Sequence, residues 1–440
     1  MSKSVTILGG GLAGISSAVF LHDAGYEVSL YESKSKLGGR TFSFDDAETG
    51  MRFDNGQHIL AGWYKNTFNL FDKLNHIPDL SLHQNLHVYF RDREGNDFEF
   101  IAKGDNPFVA AAKGFMNYQP LNFKDKLSLL RLRELIEIDF PKKIKDKKLG
   151  WLLDYLKQTD NLIKYFWEPF VFAVFNTSPE YVDAELFYNV LATAFDDPAA
   201  NTLIIPNDYL DNMIANPFIE YSKNKINISY NSTVKEIRVI DGRITECILD
   251  NGEIIKSDLY VSAVPFHSFR QIFSKGVFDE YFNSYVVMKP ASILSIFLVP
   301  DKMPVNIKHK YYFGMVGILG GLMHWVFFKE NYISVTISAP EYTVRGFGQL
   351  SKDDVCIRVE REIRDYFPEF RDIHFKRIKY YREKRATFLP ETNSMKSRLN
   401  TVCNIKNLFI SGDWTNTGLP STIESAVLSG KKCMEAIIKL

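Results

Sequence analysis

Val5-Thr6-Ile7-Leu8-Gly9-Gly10-Gly11-Leu12-Ala13-Gly14 is an apolar run that ends in G-x-G-x-x-G, and Glu32 follows 18 positions after Gly14. Between them a helical stretch leads into a second apolar run, Tyr26 to Tyr31. Strand, glycine turn, helix, strand and acid, in that order, are what a dinucleotide-binding Rossmann unit needs. Gly9 makes the tight turn, Gly11 lets backbone approach a pyrophosphate, and Gly14 lets the helix lie on the strand. The helix N-terminus offers unpaired N–H groups to phosphates, and Glu32 can accept ribose hydroxyls.

Working outward, Leu37-Gly38-Gly39-Arg40 follows the acid and can set a backbone N–H and a guanidinium on cofactor phosphates. At the far end, Leu408-Phe409-Ile410-Ser411-Gly412-Asp413 repeats the logic: a strand ends in Gly-Asp and leads through Pro420-Ser421-Thr422-Ile423 into a helix expected over Ser425 to Leu440. Asp413 is suited to the hydroxyls of a ribityl chain, and backbone at Thr422-Ile423 to a ring carbonyl. A meander is expected over Thr233 to Ile255, turned by Asp241-Gly242 and Asn251-Gly252, with a buried strand after it that Pro265 stops.

The intervening chain reads less regularly. Leu86 to Arg91 and Asp97 to Ile101 form an expected hairpin around Glu94-Gly95-Asn96. Residues 105 to 200 read as mostly helical, with one amphipathic helix from Asn122 to Ile138. Tyr311 to Phe328 is apolar enough to raise a membrane span, but Gly320-Gly321 and His324 favour two strands around a turn. From 266 to 395 strands and helices alternate as in a mixed sheet.

Lys+Arg and Asp+Glu both number 53, so no global field draws nucleic acid. The four cysteines lie far apart, with no C-x-x-C and no metal spacing, and read as buried thiols of a reducing compartment. His83 and His87 have i,i+4 spacing but lead into a strand with no matching carboxylate, so no metal is expected. No P-loop, nucleophile elbow or H-E-x-x-H occurs. The first apolar run reads as a strand, not a signal peptide. With 35 Phe and 22 Tyr, the chain can line a large apolar pocket as well as fill a core.

These pieces together resemble the FAD-dependent amine oxidase and phytoene desaturase superfamily over the whole chain. The resemblance implies an α/β fold: a Rossmann-type FAD-binding domain from residues 1–80, 206–265 and 396–440, and a substrate domain from the helical insert at 81–205 and the mixed sheet at 266–395. It makes the cofactor FAD, and a single G-x-G-x-x-G with a second corner at the C-terminus agrees. Carried over by position, Gly9, Gly11, Leu12, Ala13, Gly14, Glu32, Ser33, Gly39 and Arg40 hold the AMP half and pyrophosphate. Val234 meets the adenine. Gly56, Gln57 and His58 lie beside the ring, Gly412 and Asp413 meet the pyrophosphate and ribityl chain, and Pro420, Thr422 and Ile423 lie at the ring.

Asp54-Asn55-Gly56-Gln57-His58-Ile59-Leu60-Ala61-Gly62-Trp63-Tyr64, Trp167-Glu168-Pro169, Phe175-Asn176-Thr177, His324-Trp325, Arg382 to Phe388 and Leu419 to Glu424 look more specifically like the hydroxysqualene dehydroxylase branch. Members usually carry Leu-Asn-Thr where this chain has Phe175-Asn176-Thr177. That branch replaces the hydroxyl of an allylic C30 alcohol with hydride from reduced flavin. Such a site needs a dry tunnel and help for departing water, and it must stabilise an allylic cation. His58 is the candidate proton donor, as its ordinary titration near neutrality suits a leaving hydroxyl. Trp63, Tyr64, Trp167, Trp325 and Trp414 are candidates to face the cation. A polyprenoid substrate implies a cytoplasmic protein in transient contact with the inner membrane face through the helical insert. The rival readings are a carotenoid-type desaturase, an amine oxidase and a non-catalytic prenyl-protein escort.

Overall fold

The run Ser4–Leu8 becomes the middle strand of a five-stranded, wholly parallel sheet. Its strands lie in the order Asn227–Ser229, Glu27–Tyr31, Ser4–Leu8, Leu259–Ser262, Leu408–Ile410. The computed structural model describes residues 3–440 apart from Gln84, Ile138, Asn306, Tyr312 and Phe313. Every residue of Leu259–Ser262 and Leu408–Ile410 is buried, as strands covered on both faces must be.

The helix after the first glycine turn, Leu12–Asp23, packs against the last helix of the chain, Ile423–Ile437. They approach so closely at Gly430 that a Cβ there would sit 2.1 Å from Ser16 Oγ and 2.6 Å from the Ser17 nitrogen. The closing helix starts two residues ahead of the expected position because the Thr422 hydroxyl caps it, accepting from the Ser425 N–H at 3.1 Å. The meander forms as Val234–Ile240, Arg243–Leu249 and Ile254–Ile255, with Asp241 and Gly242 both at positive φ in the turn.

A second, seven-stranded sheet gathers distant segments. Its order is Phe375–Phe388, Pro290–Pro300, Ile333–Ser338, Trp325–Phe328, Met315–Ile318, Leu86–Arg91, Asp97–Ala102. The apolar stretch around Gly320-Gly321 is thus a strand pair, and among the described residues no helix is long and apolar enough to cross a membrane. One face, with Leu294, Ile296, Val326 and Val335, packs on Val355, Val359 and Ile363 of helix Lys352–Tyr366. The opposite face, with Val88, Phe90, Trp325 and Phe327, packs against the helical insert.

The insert departs from expectation in one place. The amphipathic stretch from Asn122 is a short α-helix, Phe123–Ser128, that tightens into a 3-10 helix, Leu129–Ile136; Ile138 lies outside the described residues. The capping box of Asn122 and Asp125 fixes its start. Leu129, Leu132 and Leu135 then recur every three residues and all pack on the insert core, a spacing that the three-residue turn aligns.

Asn176, at the αL C-cap of helix Glu168–Phe175, ties the insert to the large sheet. Its Nδ2 donates to the Ser292 carbonyl at 3.2 Å and to Thr387 Oγ1 at 3.0 Å, and its Oδ1 accepts from the Ala339 N–H at 3.1 Å. The Phe-Asn-Thr motif is therefore a clamp between the insert, two strands of the sheet and the residue just past a third.

Candidate functional site

The first corner is built by removing side chains. Gly9, at φ +110°, would put a Cβ 2.8 Å from the Ala263 carbonyl oxygen, and a Cβ on Gly14 would lie 1.8 Å from the Gly9 carbonyl oxygen. Gly11 is different: the nearest atom to a Cβ there is Gly39 Cα, 3.8 Å away. Space is therefore kept at the N-terminus of helix Leu12–Asp23, which has no side-chain cap, so Leu12 and Ala13 begin it with free-facing backbone donors. Gly38 and Gly11 bridge each other, bringing Gly39 and Arg40 beside this opening.

Glu32 follows the second strand, Glu27–Tyr31, with a buried carboxylate. It accepts from the N–H groups of Gly10 at 2.6 Å and Lys34 at 2.8 Å and from Ser33 Oγ at 3.1 Å. The Ser232 N–H donates to the Glu32 carbonyl at 2.8 Å, and Val234 packs in one cluster with Tyr31, so the start of the meander lies beside the acid.

The second corner closes on the first. Arg40 donates to Asp413 Oδ1 at 2.5 Å and also to the Ala386 carbonyl. Ser421 donates to the other Asp413 oxygen. Asn55 Nδ2 holds the Arg40 carbonyl at 2.7 Å. Gly412 at φ +155° has no room for a Cβ, because Trp414 Nε1 would lie 2.5 Å from it. Pro420 and Thr422 belong to the loop that delivers Ile423 to the helix start.

Two residues here escaped the sequence reading. Buried Arg398 donates to the carbonyls of Thr415 at 2.7 Å and Asp413 at 3.4 Å and to Thr417 Oγ1 at 2.9 Å, so it sets the path of the 413–417 loop. Burial lowers its guanidinium to about 10, with Asp413 opposing. His267, two residues after the proline that stops strand Leu259–Ser262, is pushed down to about 4 by burial, then by Arg385 and Arg40, with Asp413 opposing. Its Nδ1 is buried without a hydrogen-bond partner. Its position just past the carboxyl end of a parallel strand is the signal that could have found it.

Glu424 is also structural in an unforeseen way. Its carboxylate accepts from the N–H groups of Asn66 and Thr67 and from their side chains, at 2.7 to 3.0 Å. It thereby caps helix Lys65–Lys73 from the far end of the chain.

Gly56, at φ +79°, leads to Gln57 and His58. Gln57 Nε2 and His58 Nδ1 are both buried without partners. Burial depresses the His58 imidazole below its usual range; Asp54 and the Gly56 backbone oppose that, and Arg40 reinforces it. At pH 7 this ring is neutral, which corrects the expectation of an ordinary titration near neutrality. Among the five aromatic candidates, Trp414 donates to the Val264 carbonyl at 3.0 Å and Trp167 to Gln158 Oε1 at 3.1 Å, each inside a core. Trp63 and Tyr64 pack with each other against the parallel sheet. Trp325 alone of the five stands on the large sheet.

Those features fit FAD: an open glycine crossing for a pyrophosphate, an acid at the ribose end, and unpartnered polar atoms on Gln57, His58 and His267 for a polar ring edge. A profile of the flavin-containing amine oxidoreductases matches residues 12–438. The chain belongs to that family. As a member it is an FAD-dependent oxidoreductase, and Gly11, Glu32, Arg40 and Asp413 at the two corners could hold its dinucleotide. Over its length it is similar to a hydroxysqualene dehydroxylase of Zymomonas mobilis, 27% identical over 97% of each chain. It is 24% identical to a zeta-carotene desaturase of Synechocystis, over 99% of this chain and 97% of that one. A solved oxidoreductase from Methanosarcina mazei has the same fold at a TM-score of 0.72 and 16% identity, covering 98% of this chain and all of its own.

Among the described residues no group of three or more His, Cys, Asp or Glu side chains is placed to hold a metal. His87 instead meets Glu99 across the hairpin at 2.9 Å. All four cysteines are free; Cys247 and Cys433 are buried as expected, whereas Cys356 and Cys403 are half-buried.

Proposed function

We propose that this flavoenzyme acts on a polyprenoid and removes the hydroxyl of hydroxysqualene to give squalene. The observation that carries this reading is the pair Gln57-His58, buried with unpartnered polar atoms, set against an aromatic sheet face that includes Trp325. The full-length similarity to a hydroxysqualene dehydroxylase supports it. In the reaction the substrate's C–O bond breaks, the oxygen gains a proton and leaves as water, and the allylic carbon takes a hydride. Reduced FAD supplies that hydride.

The chain's own residues do the rest. His58 is uncharged at rest and hydrogen-bonds the hydroxyl; a proton from solvent makes it imidazolium, which gives that proton to the leaving oxygen and returns to the neutral form an apolar site favours. The indole face of Trp325 attracts positive charge on the allylic carbons without forming a bond to them. Phe44, Phe53, Phe297 and Tyr381 stack into a wall beside this segment, with Phe53 and Phe297 centroids 4.5 Å apart, and keep water out. Anaerobic incubation of the pure protein and reduced FAD with hydroxysqualene should yield squalene by mass. No product, with oxidised enzyme bleached by a phytoene-like substrate, would favour the second reading, a desaturase, which the zeta-carotene desaturase similarity supports.

An oily substrate also calls for a membrane surface. Phe108, Met116, Phe123, Leu127 and Leu130 are exposed on the insert, Phe123 by 79%, among the exposed lysines Lys113 and Lys124. Apolar side chains ringed by cations suit a transient seat on an anionic leaflet. Co-sedimentation with anionic vesicles should fall for Phe123→Asp; equal pelleting would count against this seat.

A further inference from the structure

The registers of the large sheet align one row of side chains across all seven strands: Tyr381, Ser295, Thr336, Trp325, Gly317, Phe90 and Phe98. The next row on the same face pairs Phe297, Ser334 and Phe327. Residues directly opposite each other share a face, so these two rows form one surface. Its flanks are aromatic, but its centre carries the polar groups of Ser295, Thr336, Trp325 and Ser334. Three of those atoms, Thr336 Oγ1, Trp325 Nε1 and Ser334 Oγ, are buried with no hydrogen-bond partner. Ser334 is 0% exposed and Trp325 8%, so these are true interior positions.

The segment 53–59 crosses this surface. Phe53 stacks on Phe297, a Cβ on Gly56 would lie 3.7 Å from Ser295 Oγ, and Ile59 packs in the cluster that holds Trp325. Gln57 and His58 lie between these two contacts, next to the residue that approaches Ser295. The benzo edge of Trp325 lies over Gly317, with Cζ3 3.3 Å from where a Cβ would sit, which turns Nε1 away from that strand. Leaving so many buried donors and acceptors unpaired costs far more than one lost hydrogen bond, so such a cluster is built to be satisfied by something bound.

We infer that Thr336, Trp325 and Ser334 form a hydroxyl subsite that holds the oxygen of a prenyl alcohol beside the segment that carries His58. This rests on the reading of the substrate as an oxygen-bearing polyprenoid. The subsite binds one small uncharged oxygen: Trp325 Nε1–H donates to it, and the two hydroxyls donate or accept as needed. Aromatic rings flank that oxygen site on either side, an apolar surround that suits a prenyl chain. Thr336 and Ser334 act on the alcohol only, because a hydrocarbon offers them nothing, and the pocket discriminates by the hydrogen bonds a hydrocarbon would leave unmade.

The test compares farnesol with farnesene as ligands of the oxidised holoenzyme, read as perturbation of the flavin absorbance bands. Wild type should prefer the alcohol by about 10-fold. Thr336→Val should abolish most of that preference while leaving farnesene affinity within about 2-fold, and Ser334→Ala should reduce it less. Trp325→Phe should act like Thr336→Val, with flavin content and melting temperature reporting that each variant is folded. No preference in wild type, or a preference unchanged in both Thr336→Val and Trp325→Phe, overturns the subsite and leaves only water there. An intact preference that collapses in the variants, together with no squalene from hydroxysqualene, sinks the proposed reaction and spares the subsite.

Discussion

The two strand-to-helix corners at the cofactor end do the same work by opposite means. At Gly9–Gly14 the chain removes side chains, and what remains is backbone and open space around Gly11. At Gly412–Glu424 it adds them: Arg398, Ser421 and Glu424 latch the loop to the 413–417 backbone, to Asp413 and to helix Lys65–Lys73. A phosphate cradle requires absence, which is encoded locally; a latched loop requires partners that arrive from elsewhere in the chain.

The sharpest way to break this contrast is at the glycines. Gly14→Ala forces a Cβ onto the Gly9 carbonyl and should cost about 3 kcal/mol or more, visible as loss of soluble protein or a large fall in melting temperature. Gly11→Ala meets nothing closer than 3.8 Å, so its apoprotein should melt like wild type while FAD affinity falls at least tenfold by fluorescence titration. Equal effects of the two substitutions would erase the distinction between packing and cradle glycines.

Between the corners, His58→Gln should keep FAD bound and lower turnover about 10²-fold. Because burial lowers this imidazole, any turnover that draws on its protonated form should rise as pH falls below the ordinary histidine value of about 6.5. That rise should vanish in His58→Gln; an unchanged profile would remove His58 from the chemistry.

The added-side-chain corner should yield to Glu424→Ala. That change strands four donors of Asn66 and Thr67 and should cost about 2 to 3 kcal/mol in urea unfolding, with the opening glycine turn intact. A loss below about 0.5 kcal/mol would mean that water replaces the carboxylate at no cost.

A smaller effect comes from His324 on the large sheet. It stacks on Phe172 with centroids 4.0 Å apart, and its Nδ1 accepts from the Ser338 N–H at 3.0 Å. Burial holds it down to about 3. The unfolded chain takes its proton first, near pH 6.5, so stability is full above that pH and declines as pH falls towards 3, by about 2 kcal/mol at pH 5. His324→Phe should flatten that part of the curve in chemical denaturation between pH 7 and 5.

What could be read in the sequence follows the same division. The spacing of Gly9, Gly11, Gly14 and Glu32 was legible because one strand, one turn and one helix determine it, and the family motifs extended it to FAD. The row Ser295, Thr336 and Trp325 was not, because two separate strand pairings must fall into register before those residues become neighbours. Arg398 stayed hidden for a related reason: its partners are carbonyls of a loop whose path it helps to set. The long amphipathic helix failed for a different one, since leucines three apart serve a 3-10 turn as well as an α-helix.

The order of the strands also governs when this protein can fold. The parallel sheet takes its last strand from Leu408–Ile410, and the large sheet pairs Leu86–Arg91 with Met315–Ile318 across more than half the chain. During synthesis the early strands must wait, edges bare, for partners not yet made, a condition that invites aggregation and slows folding. Chains stalled on the ribosome before residue 408 should therefore stay protease-sensitive throughout, where a protein with local strand pairing would already show a resistant core.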